Sequence, residues 1–454
     1  MTMMASQISS HVTHPHKIDA TLQLQVDSLT LDYLGVTVGG CNRPSAAVAR
    51  AAADLSDVRH EFRPARIFGL DLWASVEDAA LVNGITAHGL ELDDTHEQGS
   101  MHPGVAIFPA AFAFADAHSI DRETFTRAVA VGYDVMTSIG VLIGAEESYG
   151  RGFHPTGICG AMGAAAAIAV LMELDATQSR NAISLAANMT SGSLEFLSDG
   201  SWTKRLNAGN AAATGIRAAK LARAGFKGPA TFLEGRDGFL RQYGKGAIPG
   251  RDLALKFGAG VKETSIKFYP CCRYMHGNID IIREIKAERP ELRESDVVKI
   301  ECAVLRAGSA LVAEPLERKM TVTSPVDAQF NMPFGAALAF ATGSAKVGQF
   351  DESEALAKEL SGLMRKVECY SSERLEQAFP ATWQAEVKIS LIDGSTIERF
   401  ASAYRGSPNK PASEAEILRK IGDLVSTEWA EKVNLRLKGA DLHNSYGSDV
   451  FFGI

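Results

Sequence analysis

The sequence has no CxxC pair, no HExxH, no GK[ST], and no GxGxxG following a strand-like run. It therefore lacks the spacings that build zinc sites, phosphate loops or a dinucleotide-binding turn. Its six cysteines, at 41, 159, 271, 272, 302 and 369, are scattered, so they read as reduced, mostly buried thiols and not as a disulfide framework. Basic residues are outnumbered by acidic ones, 46 to 54, giving a net charge of -8. That balance provides no general attraction for nucleic acid or an anionic membrane surface. Long apolar runs are missing too: "GAMGAAAAIAVLMEL" (160–174) is too short to span a bilayer. The start, "MTMMASQISSHVTHPHK", has no basic region leading into an apolar core and cleavage site. These absences describe a cytoplasmic, folded chain, and 46% hydrophobic with 22% charged residues suits a globular body.

What is present is mostly helical pattern. At 454 residues the chain exceeds one usual core, so two domains are expected. From about residue 18 to 260, segments such as "ATLQLQVDSLTLDYLGVTVGG", "RETFTRAVAVGYDVMTSIGVLI" and "NAGNAAATGIRAAKLARAG" carry apolar stripes at helical spacing, and most end at glycine. Their many Ala and Gly residues, Gly157, Gly160 and Gly163 among them, suit close helix packing. Past Pro290 the texture changes. "VVKIECAVLRA" (297–307) alternates like a half-buried strand, and "AEVKISLIDGSTIERF" (385–400) reads as two strands turning at Asp393-Gly394. "SPVDAQFNMPFGAALAFATG" and "SEALAKELSGLMRKV" read as helices between them. The tail is helical again, with Ser413 and Glu416 as a capping box. The expected fold is mainly α: a large all-helical domain over 1–266 and 405–454, and a smaller α+β domain over 267–404.

Four stretches carry the ionisable chemistry. "HGLELDDTHEQGSMHPG" (88–104) concentrates acids and histidines between Ala-rich apolar segments. The bland reading is a solvated loop whose aspartates cap a helix. A metal reading uses Asp93, Asp94, His96 and His102 as donors, but their spacing follows no known ligand pattern. "YGRGFHPTGICGAMG" places His154 at the start of a helix near Thr156, where the local field favours a neutral imidazole. "LSDGSWTKRLNAGN" puts Lys204 at a helix entrance, where snorkelling is the commoner fate. "SIKFYPCCRYMHG" brings Lys267, Arg273 and His276 to the expected domain junction, with Cys272 a weak candidate nucleophile for want of a base. Together these groups could move a proton beside a carboxylate while cations hold the developing charge.

Six blocks in order, "LDYLGVTVGG", "NGITAHGLELDDTHEQGSMHPGVAIFPAAFAFAD", "GFHPTGICGAMGAAAA", "GSWTKRLNAGNAAATGIRAAKLARAGFKGP", "IKFYPCCRYMHGNID" and "DAQFNMPFGAALAFATG", resemble the MmgE/PrpD family. That family includes 2-methylcitrate dehydratase, cis-aconitate decarboxylase and iminodisuccinate epimerase. The resemblance implies a helical domain completed by C-terminal helices, a smaller α+β lid domain, a homodimer, and no metal or organic cofactor. It points to Asp93, His102, His154, Lys204 and Lys267 as catalytic, lining one cleft. His102 or His154 would be the acid/base, Asp93 would orient, and the two lysines would hold carboxylates. Thr95, Arg273 and His276 are further substrate-binding candidates. Two departures stand out: Phe334 where decarboxylase and dehydratase types resemble each other in having tyrosine, and Asp134 with Ser138 where many relatives have Glu and Arg. The implied activity is a cofactor-independent lyase, dehydratase or decarboxylase, on a small di- or tricarboxylate. An epimerase or racemase using the same proton abstraction is the alternative, and a non-catalytic carboxylate-binding protein is a third.

Overall fold

The computed structural model describes residues 3–246, 253–439 and 446–452. The long helices begin where the sequence offers side-chain acceptors for their first free N–H groups. Asp19 caps Ala20–Gly40, Ser75 caps Val76–Ala87, and Asp121 caps Arg122–Ile143. Asp175 and Gln178 close a capping box on Ala176–Met189.

These helices pack through small residues. A Cβ at Gly160 would lie 2.9 Å from the Cβ of Ala106, and one at Gly163 only 2.7 Å from that of Met136. The closest crossing is between Val76–Ala87 and Thr203–Arg223. There a Cβ on Gly84 would meet the Gly209 Cα at 2.7 Å, and one on Gly209 would meet the Leu81 carbonyl oxygen at 2.2 Å. This crossing fixes where Lys204, in the first turn of the second helix, stands relative to the loop that follows the first. Arg122–Ile143 is long and apolar enough to cross a membrane, but 83% of its apolar window is buried inside this protein.

One hydrophobic core is drawn from residues 4–266 and from the C-terminal stretch 417–451. Glu414–Leu424 lies against Ala20–Gly40, with Ile421 filling the space that Gly35 leaves. A second core is built from 269–404 and borrows Phe196. It holds a four-stranded sheet in the order Val367–Tyr370, Val297–Ala303, Ala385–Leu391, Thr396–Ala401. The first pair is parallel and the others antiparallel, and Gly394 supplies the positive φ of the last hairpin. Arg273–Glu288 and Met332–Thr342 cover the sheet side of this core.

Two expected helices are interrupted. "SPVDAQFNMPFGAALAFATG" forms Pro325–Gln329 and Met332–Thr342, because Asn331 turns its side chain onto the Phe334 N–H while Pro333 offers no N–H to continue the first helix. "SEALAKELSGLMRKV" splits into Ser353–Glu359 and Ser361–Met364.

Candidate active site

The stretch 88–104 is not a solvated loop. Residues 88–97 and 100–104 are buried almost without exception. After Val76–Ala87 comes a single 3-10 turn, His88–Leu90, and then Glu91 adopts the left-handed conformation at φ 55°. For a non-glycine residue that conformation costs roughly 1 kcal/mol or more, so the surroundings must hold it. Thr95–His96 then pairs antiparallel with Thr264–Ser265, which delivers Lys267 two residues later. The His96–Met101 bridge folds the chain back so that His102 returns to Asp94.

Asp94 keeps part of the bland reading. It accepts from the Gly104 N–H at the start of Gly104–Ala117 (2.9 Å) and from the Tyr133 hydroxyl (2.6 Å), so it is a buried helix cap. Burial, partly opposed by Tyr133, raises its carboxyl to about 7.

Two histidines flank Asp93, and His154 stacks beside one of them, its ring 6.0 Å from that of His88. His88 Nδ1 lies 2.9 Å from Asp93 Oδ1 and donates to it. His102 Nδ1 lies 2.8 Å from the Asp94 carbonyl oxygen, which can only accept, so the His102 proton sits on Nδ1 and Nε2 carries the free lone pair. Asp93 Oδ2 is 3.0 Å from the same nitrogen but off its N–H direction and makes no hydrogen bond. Burial pushes His102 down to about 4, although Asp93 works in the other direction. His154 is the residue before helix Pro155–Leu171, and the Asn207 amide N–H faces its Nδ1 at 3.4 Å, leaving the proton on Nε2. Burial and then Lys204 hold its basicity well below the ordinary imidazole value. His102 thus offers an unprotonated nitrogen and His154 a protonated one.

The cations meet at Glu91. Lys204 donates to Glu91 Oε1, and Lys267 donates to the same oxygen at 3.0 Å. Burial alone would raise the Glu91 carboxyl, but Lys204 and then Lys267 hold it well below its usual range. The two lysines are not equivalent. Lys267 is fully buried, and its ammonium also meets the Glu91 and Cys271 carbonyl oxygens at 2.9 and 3.3 Å. All three of its N–H groups are therefore spent on protein. Lys204 has no hydrogen-bond acceptor other than Glu91 among the described residues, sits 4.9 Å over the Phe330 ring, and lines the pocket.

That pocket is closed to about 30 Å³, room for about one water. Its walls include Glu91, Thr95, His102, His154, Lys204 and Arg273. A 600 Å³ cavity adjoins it across Tyr149, Leu194 and Leu311, which line both spaces. Ser100, Tyr149 and Tyr274 form a hydroxyl cluster on the wall, with contacts of 2.7 and 3.1 Å from Ser100.

The remaining sequence candidates fall into place around this pocket. Arg273 lines it, but Nε and Nη2 grip Glu97 at 3.0 and 2.8 Å. His276 is buried behind it, with Nε2 3.2 Å from the Cys271 carbonyl oxygen, and is not on the wall. Cys272 is on the wall, with its thiol pushed up by burial. Phe334 packs against Phe350 in the α+β core, away from the wall, where Tyr149 and Tyr274 already supply phenols. Asp134 accepts from Gly258 and Gly260 N–H and pairs with His11, and Ser138 donates to the Ala254 carbonyl; neither touches the pocket.

The donors Asp93, Asp94, His96 and His102 do not converge, because Asp94 caps a helix and His96 faces Gly99 and Glu263. The set that does gather is His88, Asp93 and His102, with ligand atoms within 4.8 Å of one another. To hold a zinc-like ion at bonds of about 2.1 Å it would have to contract and surrender its hydrogen bonds. Sequence reasoning missed His88 and Glu91, although both lie in the stretch it singled out.

Comparison with known proteins gives one family for both parts of the chain. The MmgE/PrpD N-terminal domain matches residues 7–251, and the MmgE/PrpD C-terminal domain matches 269–441. The cis-aconitate decarboxylase-like protein oryM of Aspergillus oryzae is 24% identical, over 96% of this chain and 93% of its own. Cis-aconitate decarboxylase of Aspergillus terreus is 26% identical over 77% of this chain and 74% of its own, and that of Homo sapiens 24% over 89% and 82%.

Proposed function

Since the chain belongs to the MmgE/PrpD family, we propose that it is a lyase removing water or carbon dioxide from a small di- or tricarboxylate, using His102 and His154 for proton transfer. The observation that carries this reading is the opposed protonation of the two imidazoles on one closed wall beside Lys204.

In this reading a substrate carboxylate takes the Lys204 N–H groups that Glu91 leaves unused, and Lys267 serves to anchor Glu91. For dehydration, His102 Nε2 removes the proton from the carbon next to that carboxylate. The C–H electron pair moves into an enediolate facing Lys204, and the β-hydroxyl then leaves with the His154 Nε2 proton, forming the double bond. For decarboxylation, the carbon–carboxylate bond breaks instead, its electron pair forms the same type of anion, and an imidazole N–H returns a proton to carbon. A charged donor aimed at the developing anion in a dry site contributes more than it would in water. Asp93 keeps His88 oriented and lends negative potential to His102. Activity requires the pocket to open, since small-ligand sites usually enclose some 300 Å³ or more. The reading also carries the domain division at 266/267 and 404/405, and a homodimer, as proposals.

Proton NMR in deuterium oxide with 2-methylcitrate, citrate, cis-aconitate and iminodisuccinate tests it. A new vinyl resonance, or loss of a carboxyl carbon, that disappears in His102→Ala is the expected result. Deuterium entering an otherwise intact skeleton would replace the lyase by an epimerase. Binding without turnover would overturn catalysis altogether.

A further inference from the structure

A further cavity, of about 500 Å³, lies where the helix Glu414–Leu424 faces the segments around Tyr269, Arg283 and Lys346. It is separated from the catalytic pocket by one stretch of chain: Glu91 lines the pocket, whereas Leu92 lines this cavity. In a chain with a net charge of -8, its wall is unexpectedly cationic, with Arg283, Lys346, Arg405, Arg419 and Lys420 facing only Glu416 and Asp423.

The ion pairs account for part of this excess. Arg405 holds Glu416 at 2.8 Å, Lys346 holds Asp423 at 3.3 Å, and Lys420 turns away to the buried Asp32. Arg283 and Arg419 are left without a carboxylate among the described residues. Arg283 donates to the Gly343 carbonyl and the Tyr269 hydroxyl, which uses only part of its donor fork, and the exposed Arg419 makes no side-chain hydrogen bond among the described residues. Each comes from a different core of the molecule, so nothing local fixes them on one cavity. Like charges gathered around one space repel, and the arrangement becomes favourable when an anion occupies it.

We propose that this cavity binds a small polyanion, phosphorylated or polycarboxylic, between Arg283 and Arg419. Guanidinium forks match the paired oxygens of either group, and the volume suits a metabolite-sized ligand. An occupant braces the two cores against each other. Its wall is also tied to the catalytic one: Lys420 donates to the Leu92 carbonyl at 2.8 Å, and Arg273 donates to the Arg405 carbonyl at 3.0 Å. The site is independent of the lyase reading, since none of its side chains lines the catalytic pocket.

The test is isothermal titration of the full-length protein at low ionic strength with inorganic pyrophosphate and, separately, tricarballylate. Expected is one site for at least one of them that persists in Lys204→Met, where the pocket of the proposed reaction has lost its carboxylate donor, and that is weakened tenfold or more when Arg283→Gln/Arg419→Gln is added to that variant. Which probe binds tells phosphate from carboxylate recognition. An unaltered thermal melt in the double variant separates lost binding from lost folding, and if that variant melts early the single substitutions must each weaken binding. The proposal is overturned if neither probe binds Lys204→Met, which would leave any binding by the parent to the other pocket, or if binding to Lys204→Met survives the added double substitution.

Discussion

Replacing Glu91 by glutamine removes one charge and almost no volume, which isolates the electrostatics of the pocket wall. Its Oε1 accepts from both Lys204 and Lys267, the latter at 3.0 Å. At an effective dielectric of about 20, each such contact is worth about 5 kcal/mol. Glutamine keeps an acceptor oxygen and no longer buries a carboxylate, so the loss is smaller than the sum. Removing one partner of a buried pair typically costs about 3–5 kcal/mol, and two cations sharing one anion place Glu91→Gln near the upper end. Equilibrium urea unfolding, followed by far-UV circular dichroism, measures it. The pH dependence has a definite sign. Burial lowers Lys204 while Glu91 is its largest raising partner, so the variant's Lys204 releases its proton more readily. Between that lowered value and the unfolded value near 10.5, the unfolded chain binds more protons, so stability rises with pH. The deficit of Glu91→Gln should therefore shrink as pH rises from 7 toward 10. A loss under about 1 kcal/mol at pH 7, or a deficit that widens with pH, refutes the account of Glu91 as the shared counter-ion.

Three further outcomes are expected. His102→Asn should lower turnover by roughly 10²–10⁴ with little change in the melt, and the parent's kcat/KM should show no acid limb near 6.5, because burial holds His102 at about 4. A limb at 6.5 that vanishes in the variant would contradict this. Asp94 is held at about 7 against an unfolded 3.8, so the native state keeps a proton the unfolded chain has already lost, and this contribution to stability falls by about 4 kcal/mol as pH rises through that window. Asp94→Asn should gain on the parent from pH 4 to 7 and stay level above; a constant difference would count against it. Gly209→Ala should destabilise by about 3 kcal/mol or more, since its Cβ would sit 2.2 Å from a backbone oxygen, and Lys204 should lose its register with Glu91. A melt unchanged by this substitution would mean the crossing is looser than described.

Helix placement was largely legible because its causes are local. Ala20–Gly40 and Arg122–Ile143 coincide with the periodic segments and begin one residue after an aspartate cap. The hairpin at Asp393-Gly394 likewise announced itself by composition. Where local signals competed, reading failed: Asn331 and Pro333 cut a periodic stretch in two.

The site divides in the same way. The sequence alone marked the ionisable stretch 88–104, the helix-entry position of His154, and the cations at 204 and 267, since residue type and spacing are enough to mark unusual concentrations of charge. Only the tertiary structure decided that this stretch is buried and that Glu91 pairs with lysines 113 and 176 residues away. It also separated Lys204, which faces the pocket, from Lys267, which is consumed by protein acceptors. Burial, and the donor or acceptor that faces each imidazole nitrogen, are set by how the folded chain brings its segments together, and those contacts determine which groups carry charge and which hold a proton.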